Sequence, residues 1–339
     1  NLASDNIMSI TEDSRGIIWI GTFAKGLHYY TPSDGQFHHC NAKPFLTNAI
    51  TNIDIRNVMV DSDDAVWVGS TTGLYKVVTN DFITFSVTSF RDKMSEKLKN
   101  HKSTHTINAL YQTKNKEIWI GTDGAGLFSY NKKTNVLKWY INFKGLHEKS
   151  ISAITESNDE SIWLSGKKGI TRLDLKNNTT VNYSTFDGLL GNDFNNNAVL
   201  RDEDGMLYFG SYEGLNYFNP SNLVKSKKQL PIYFTDVKLF NKSVGPLEKN
   251  SPLIKVLSET KKIILKHDQS VFTIDFIAVN YSFPARNEFA YYLEGFDDSW
   301  NYVGNKRSAT YTNLAPGNYT FKIRSSNSDG YWSKTVSYS

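Results

Sequence analysis

The sequence has few of the residues that stabilise small secreted proteins or bind metals, because its 339 residues include one cysteine and eight prolines. A single cysteine, Cys40, excludes an internal disulfide and a zinc site built from cysteines, and we expect it to be a small buried apolar side chain. No apolar run reaches the roughly 18 residues that a membrane-spanning helix needs, and the first residues do not resemble a signal peptide.

Positive and negative residues are nearly equal in number, since the sequence has 38 Lys and Arg and 34 Asp and Glu. Nucleic acid is therefore not an expected partner. The hydrophobic share of 39% and the aromatic share of 14% are those of a folded protein and exclude disorder. At this length, two domains of ordinary size are expected.

One sequence motif recurs at intervals of 44 to 52 residues. In each copy an aromatic residue lies in an apolar segment, and a glycine follows the aromatic by six or seven residues. The aromatic residues are Trp19, Trp67, Trp119, Trp163 and Tyr208, and the following glycines are Gly26, Gly73, Gly126, Gly169 and Gly214. A repeat of this period is typical of stacked architectures such as β-propellers.

The residues around each copy predict four antiparallel strands. A strand-like segment and a polar turn precede the aromatic strand, and a third and a fourth strand follow, as in Phe82–Phe85. The unit has the size of a propeller blade, so residues 1–228 are predicted to form five blades. The repeated tryptophans are expected to pack between blades, and this is favoured over a platform for stacking sugars.

The repeat is absent beyond residue 228, and the rest of the chain alternates apolar and polar residues as short strands. Turn signals separate segments such as Ile232–Thr235, Ile263–Leu265, Val271–Phe276, Phe289–Leu293 and Tyr319–Ile323. The pattern predicts an Ig-like β-sandwich over residues 229–339. The fold class is therefore all-β, with β-propeller blades followed by a sandwich.

The repeat, Ile-Trp-Ile-Gly-Thr followed by Gly-Leu, resembles the two-component regulator propeller repeat. The segments Tyr291–Trp300, Tyr311–Tyr319 and Asp329–Ser333 resemble the triple-tyrosine (Y_Y_Y) domain. This order of domains is similar to the periplasmic sensor region of hybrid two-component systems in gut Bacteroides and relatives.

The resemblance implies a periplasmic module that detects a carbohydrate or oligosaccharide and signals by rearrangement of a homodimer formed through the C-terminal sandwich. The parent protein would be anchored in the inner membrane and would carry a histidine kinase after the sandwich. We also expect the five blades to be the last part of a larger propeller, with a closed five-bladed ring as the alternative.

No constellation in the sequence predicts catalysis, a metal site or a cofactor site. His101 and His105 have a spacing that can bind a metal, but the lysine-rich segment around them favours a solvated loop or helix. The acidic segments Asp61–Asp64 and Asp202–Gly205 occupy the same place in the repeat, and this predicts hairpin turns. Tyr291, Tyr311 and Tyr319 are expected to pack in the sandwich and to cap backbone groups.

Ligand binding is predicted for the loops that follow the aromatic strands, because loops on one face of a propeller bind while the blades pack. The candidates are Lys25, Asp123, Lys167, Lys168, Tyr212 and Glu213. Two other functions remain open. One is a propeller lyase or glycoside hydrolase, which needs two carboxylates in one cleft, and the other is a structural spacer whose parent binds ligand in upstream repeats.

Overall fold

The computed structural model describes residues 2–40, 50, 52–99, 105–141, 143, 145–146, 148–223, 229–246, 248–260, 262–281, 284–327 and 330–338. The chain divides into two compact units, Asn1–Leu223 and Val224–Ser339. The predicted boundary at residue 228 lies outside the described residues and stays a prediction.

The first unit consists of five antiparallel sheets in sequence order, which we call blades 1 to 5. Blade 1 has β1 (Ile7–Glu12), β2 (Ile18–Thr22), β3 (Gly26–Thr31) and β4 (Gln36–His39). Blade 2 has β5 (Ile55–Val60), β6 (Val66–Ser70), β7 (Gly73–Val78) and β8 (Ser86–Ser89), and helix α1 (Arg91–Lys97) follows it. Each sheet is a meander, because successive strands are hydrogen-bonded neighbours.

The remaining blades continue the pattern. Blade 3 has β9 (Ile107–Gln112), β10 (Glu117–Thr122), β11 (Leu127–Asn131) and β12 (Val136–Trp139). Blade 4 has β13 (Ile151–Glu156), β14 (Ile162–Gly166), β15 (Gly169–Asp174) and β16 (Thr179–Tyr183). Blade 5 has β17 (Phe194–Arg201), β18 (Leu207–Ser211) and β19 (Gly214–Phe218). The prediction of five propeller blades is confirmed.

Two details of the blades differ from the sequence predictions. The fourth strand of blade 2 is Ser86–Ser89, whereas the predicted segment Phe82–Phe85 forms a turn. The side chain of Asp81 causes this turn, because its carboxylate accepts hydrogen bonds from the backbone amides of Ile83 and Thr84. Blade 5 has three strands among the described residues instead of the predicted four.

The repeated tryptophans pack between blades, as predicted. Trp19 of blade 1 belongs to one apolar cluster with Val66 and Val68 of blade 2, and it is fully buried. Trp67 lies in the same way against Ile118 and Ile120 of blade 3. Each blade therefore covers the aromatic face of the blade before it.

Cys40 lies in the cluster between blades 1 and 2 and is fully buried, as expected. Burial raises the pKa of its thiol to about 12, so the thiol is protonated at neutral pH. The residue is a packing side chain.

Glycine beside the tryptophan allows neighbouring blades to approach closely. A Cβ atom on Gly21 would lie 2.5 Å from Cγ2 of Ile55, and one on Gly69 would lie 2.8 Å from Cγ2 of Ile107. Both isoleucines belong to the innermost strand of the next blade. Glycine is therefore required for packing at these positions.

Blade 5 leaves exposed the face that is buried in the blades before it. Leu215 is 55% exposed and Tyr217 is 65% exposed, whereas Leu74 at the position of Leu215 in blade 2 is fully buried. Tyr208, which replaces the tryptophan, stacks on Tyr217 with ring centroids 6.0 Å apart. The described residues thus include no sixth sheet that covers this face.

The second unit is a sandwich of two four-stranded sheets. Its strands are β20 (Ile232–Leu239), β21 (Lys242–Ser243), β22 (Val271–Ala278), β23 (Glu288–Glu294), β24 (Asn301–Gly304), β25 (Ser308–Thr312), β26 (Thr320–Ser326) and β27 (Val336–Tyr338). One sheet has the order β21-β20-β22-β25 and the other β24-β23-β26-β27. Phe276, Phe289 and Phe321 meet in its core.

The predicted strand Ile263–Leu265 is wrong, because these residues pair with no strand and Ile264 is 68% exposed. An apolar run is not sufficient for a strand when no neighbouring strand has open hydrogen-bonding groups beside it. Within the part of the chain that the structure describes, no helix is long and apolar enough to cross a bilayer.

Candidate functional site

The first strands of all five blades surround a cavity of about 780 Å³. β1, β5, β9 and β13 each contribute three or four consecutive residues to the wall, and β17 and the turn after it contribute the rest. A cavity of this size is in the range of ligand sites. It is the main candidate site of the first unit.

An irregular segment of β17 places an asparagine in this cavity. Phe194 pairs with Ser211 and Val199 pairs with Phe209, so residues 195–198 face Gly210 alone. Asn197 in this bulge has a φ of 59°, in the left-handed region that asparagine tolerates better than most residues. Bulges often occur at functional sites, where they redirect a side chain.

The bulge reaches across the cavity to blade 2. The amide of Asn57 donates a hydrogen bond to Oδ1 of Asn197, and Nδ2 of Asn197 donates to the backbone carbonyl of Arg56 at 2.6 Å. Asn57 is itself buried. Two asparagine amides from different blades therefore meet at the cavity wall.

The charged residues of the wall are Arg201, Asp202 and Glu203. The guanidinium of Arg201 donates through Nη2 to Oδ1 of Asn158, and its enclosed Nε has no hydrogen-bond partner among the described residues. Burial raises the pKa of Tyr111, which also lines the cavity, and the nearby Glu156 carboxylate adds to this effect. The site offers amides, a phenol and one cation, without an excess of positive charge.

Two of the predicted ligand-binding residues, Asp123 and Lys168, lie close together between blades 3 and 4. The carboxylate of Asp123 accepts a hydrogen bond from the hydroxyl of Ser150 at 2.5 Å. The backbone amide of Lys168 donates to the carboxylate of Glu148 at 2.9 Å, and Glu148 also accepts from the amide of Ser150. Glu148 and Ser150, which lie between the two blades, thus contact the loops that contain Asp123 and Lys168.

The other predicted loop residues lie on separate blades. Lys25 follows the aromatic strand of blade 1, and its carbonyl oxygen lies 3.0 Å from Nε2 of His39. Lys167 is exposed on blade 4, and Tyr212 is 74% exposed on blade 5. The carboxylate of Glu213 lies so close to Gly191 that a Cβ there would be 2.0 Å from it. The structure does not bring these four residues together.

Tyr291, Tyr311 and Tyr319 pack in the core of the sandwich or against it, as predicted. The hydroxyl of Tyr319 donates to the carbonyl of Ala315 at 2.9 Å and so caps a backbone group. The hydroxyl of Tyr311 donates instead to the carboxylate of Asp297 at 2.9 Å. Burial, together with this hydrogen bond, raises the pKa of Tyr311 well above its ordinary value.

The described residues contain no group of three or more histidine, cysteine, aspartate or glutamate side chains that could hold a metal. His101 lies outside the described residues. Nε2 of His105 lies 2.9 Å from the hydroxyl of Ser95 in α1, so His105 contacts the helix that follows blade 2.

The acidic turns are hairpins, as predicted, and their carboxylates stabilise the blades. Asp61 accepts hydrogen bonds from the amides of Asp63 and Ala65 and from the indole of Trp67. Asp202 accepts in the same way from the amide of Met206 and the hydroxyl of Tyr208. These carboxylates are occupied by structural contacts.

Sequence reasoning missed the residues of the cavity and of the segment between blades 3 and 4. Asn57 and Glu148 have no distinctive pattern around them in the sequence. The run Asn195–Asn197 is the one signal that could have been noticed, since three successive asparagines are unusual in a strand.

Two known families match parts of the chain. The two component regulator propeller family matches residues 1–24 and 102–124, and the Y_Y_Y domain matches residues 280–339. The second match lies within the sandwich, and the first covers strands of blades 1 and 3.

Similar proteins include a histidine kinase and the extracellular domains of two bacterial regulatory systems. Histidine kinase P4 of Formosa agariphila is 26% identical over 335 residues, which are 98% of this chain and 24% of that protein. The extracellular domain of BT3049 from B. thetaiotaomicron, named as a hybrid two component system, is 24% identical with a TM-score of 0.66, covering 99% of this chain and 50% of its own. The extracellular domain of BT4673 from the same organism is 25% identical over 98% of this chain and 44% of its own, with a TM-score of 0.48.

The chain therefore spans about a quarter of the length of the histidine kinase and half of the solved domain of BT3049. The matches confirm the predicted resemblance to the sensor regions of two-component systems, and they confirm propeller repeats followed by a Y_Y_Y domain.

Proposed function

We propose that this chain, with its two component regulator propeller repeats and Y_Y_Y domain, is the extracytoplasmic sensing module of a hybrid two-component protein. The observation that carries the proposal is the similarity of 98% of the chain to one part of a histidine kinase. The module lies in the periplasm, and the parent protein is anchored in the inner membrane and carries the kinase elsewhere. The extracellular assignment of the domain of BT3049 supports this location.

The proposed ligand is a carbohydrate or an oligosaccharide. Saccharides are recognised by amides, hydroxyls and charged groups placed around an apolar surface. The wall of the cavity has this composition, with Asn57, Asn197 and Arg201 beside the exposed side chains of Ile10 and Leu200. The loops that contain Asp123 and Lys168 offer a second polar surface.

Signalling is proposed to occur through a homodimer that the sandwich forms. A ligand changes the arrangement of two subunits only if it contacts the two arrangements differently. On the sandwich, the guanidinium carbon of Arg324 lies 4.3 Å from the ring centre of Trp300 and 5.1 Å from that of Trp332. Tyr302 beside them is 63% exposed. We assign the dimer contact to this cluster, because Trp, Tyr and Arg are enriched at protein interfaces.

The chain itself is proposed to be non-enzymatic. A glycoside hydrolase needs a carboxylic acid and a second carboxylate facing one substrate. The buried carboxylates of Asp13, Asp61 and Glu148 instead accept hydrogen bonds from backbone amides and indoles. The similarity of 99% of the chain to the extracellular domain of BT3049 supports the same conclusion.

Binding and oligomerisation together test the proposal. The chain should bind at least one oligosaccharide of a glycan array, release no product from it, and sediment as a dimer whose stability changes with ligand. Tyr302→Ala should weaken the dimer and leave glycan binding intact. Turnover of the bound glycan would establish the lyase or hydrolase function instead, and absence of all glycan affinity would favour the structural spacer.

A further inference from the structure

The cavity between the first strands of the blades has features that the packing of the blades does not explain. A propeller core is satisfied by apolar side chains from adjacent sheets. At the cavity, however, β17 carries a bulge of four residues opposite one, and Asn197 in it adopts a left-handed conformation. A backbone conformation of this kind persists where the surroundings fix it.

The amide pair formed by Asn57 and Asn197 is suited to hydrogen-bond neighbouring hydroxyls. Each carboxamide has two N–H donors and an oxygen with two lone pairs. Oδ1 of Asn197 accepts from Asn57, and one N–H of Asn197 is used by the carbonyl of Arg56. Each amide therefore keeps hydrogen-bonding capacity beyond these contacts.

The guanidinium of Arg201 gives a second, independent observation. Its Nε is enclosed and has no partner among the residues that the structure describes. An enclosed N–H without an acceptor is costly, so a group that accepts a hydrogen bond there would be stabilised. A hydroxyl or ring oxygen of a ligand in the cavity provides such an acceptor.

The charges of the wall select the class of ligand. The wall contains one cation, Arg201, and two carboxylates, Asp202 and Glu203. The net charge of these three residues is therefore negative and does not attract an anionic ligand. Met8, Ile10 and Leu200, whose side chains are exposed, add apolar surface on which the C–H face of a sugar ring can lie. A volume of about 780 Å³ accommodates one or two sugar rings.

We propose that this cavity binds a neutral monosaccharide or disaccharide, with the amides of Asn57 and Asn197 as its polar anchor. This inference rests on the proposed function and names the site and the ligand class for it. The site is distinct from the loops predicted from the sequence, which lie where the second and third strands of the blades are joined.

Calorimetric titration of the 339-residue chain tests the proposal, with maltose, cellobiose, xylobiose and mannobiose as neutral probes and digalacturonate as the anionic one. We expect at least one neutral disaccharide to bind with one site per chain. Asn197→Gly should weaken its binding about tenfold or more, because glycine keeps the left-handed backbone and removes the amide.

Asn178→Gly is the matched control. Asn178 also has a positive φ, of 51°, but it lies in the hairpin between β15 and β16 and not in the cavity wall. This variant should bind like the unchanged chain. Hydrogen exchange of the unchanged chain gives a second measurement that needs no variant, and the saccharide should slow exchange in residues 55–59 and 195–201.

The outcomes separate this inference from the proposed function. If a saccharide binds but Asn197→Gly has no effect and protection appears at residues 123–126 and 167–169, the cavity is not the site and the sensing function stands. Tighter binding of digalacturonate than of every neutral probe would overturn the ligand class. If none of the probes binds while an array identifies another glycan, the inference fails alone, and if no glycan binds at all, both proposals fail.

Discussion

The indole nitrogen of Trp19 donates a hydrogen bond to the carboxylate of Asp13, which lies 3.1 Å away and six residues earlier in the chain. The same bond recurs at the same separation from Trp67 to Asp61, at 2.8 Å. In blade 4 the hydroxyl of Ser157 takes the place of the carboxylate, and in blade 5 the phenol of Tyr208 replaces the indole.

This contact joins the two signals of the repeat, the acidic turn and the aromatic strand. The turn residue closes the hairpin through backbone amides and at the same time satisfies the one polar atom of a buried tryptophan. A buried indole N–H without an acceptor would be destabilising. The spacing of six residues is thus a structural constraint.

Asp61→Ala should lower the free energy of unfolding of the propeller unit by about 2–4 kcal/mol. The substitution removes the acceptor of Trp67 and leaves the ammonium of Lys132, 2.9 Å from Asp61, with one carboxylate fewer. Urea unfolding followed by tryptophan fluorescence measures the change.

Asp63→Ala is the control for that experiment, because Asp63 pairs with the same Lys132 at 2.7 Å but has a side chain that is 58% exposed. An exposed ion pair contributes about 1 kcal/mol or less. Equal losses in the two variants would show that the ion pair, and not the bond to the indole, is the stabilising contact.

The stability of the protein should fall as the pH falls from 6.5 to 4, because His28 is buried in its neutral form. Burial lowers the pKa of His28 from 6.5 to about 4, and the neighbouring His39 adds to this effect. Between these two values the unfolded chain binds the proton and the folded chain does not, so protonation favours unfolding. The loss is at most about 3 kcal/mol.

His28→Phe should flatten the pH dependence of the unfolding midpoint in this range, and His38→Gln should leave it unchanged. His38 is a suitable control since it lies on the same blade and pairs with Asp34 at the surface. The buried carboxylates contribute at lower pH, because hydrogen bonds outweigh burial and lower the pKa of Asp61 below its ordinary value of 3.8. A profile of His28→Phe identical to that of the unchanged chain would contradict the assignment.

Glycine in the aromatic strand should be most critical where another blade covers it. Gly69→Ala places a Cβ 2.8 Å from Cγ2 of Ile107 and 3.2 Å from its carbonyl oxygen, so blades 2 and 3 must move apart. We expect a loss of about 1–3 kcal/mol in the free energy of unfolding.

Gly210→Ala is the matched change in blade 5, where the nearest atom to the new Cβ is that of Ala198 in the same sheet, at 3.0 Å. A smaller loss is expected, because no further described sheet packs on that face. Thermal melting monitored by circular dichroism compares the two variants. A loss at Gly210 as large as that at Gly69 would show that the glycine serves the strand itself.

The blades could be predicted because each depends on local spacing that the chain repeats five times. The aromatic and glycine positions, as in Trp19 and Gly26, recur in every copy with a turn and a strand before them, so each copy supports the interpretation of the others. The sandwich has no such repetition, and the apolar residues of Ile263–Leu265 alone predict a strand that the structure does not contain.

The asparagine pair in the cavity wall could not be predicted, because the position of Asn197 arises from the register of β17 against β18. The bulge between Phe194 and Val199 is defined by which backbone groups pair. A single sequence does not specify that choice, although the asparagines there are compatible with it. The partner of Asn197, Asn57, lies 140 residues away in the chain.

The exposed face of blade 5 leads to a prediction about the arrangement of the whole propeller. Leu74 in blade 2 and Leu215 in blade 5 occupy equivalent positions after the second glycine of the repeat, but Leu74 is fully buried and Leu215 is 55% exposed. Leu74→Ala should therefore cost about 2–5 kcal/mol in the free energy of unfolding, and Leu215→Ala less than about 0.5 kcal/mol, as measured by urea titration of this chain.

The same pair of substitutions tests whether these five blades belong to a larger propeller. In a longer form of the protein with further repeats, another blade would cover Leu215, just as blade 3 covers the equivalent face of blade 2. Leu215→Ala should then become as destabilising as Leu74→Ala, because both side chains would leave a cavity between blades. If Leu215→Ala remains harmless in the longer protein, the face of blade 5 is a free surface and the expectation of a larger ring is wrong.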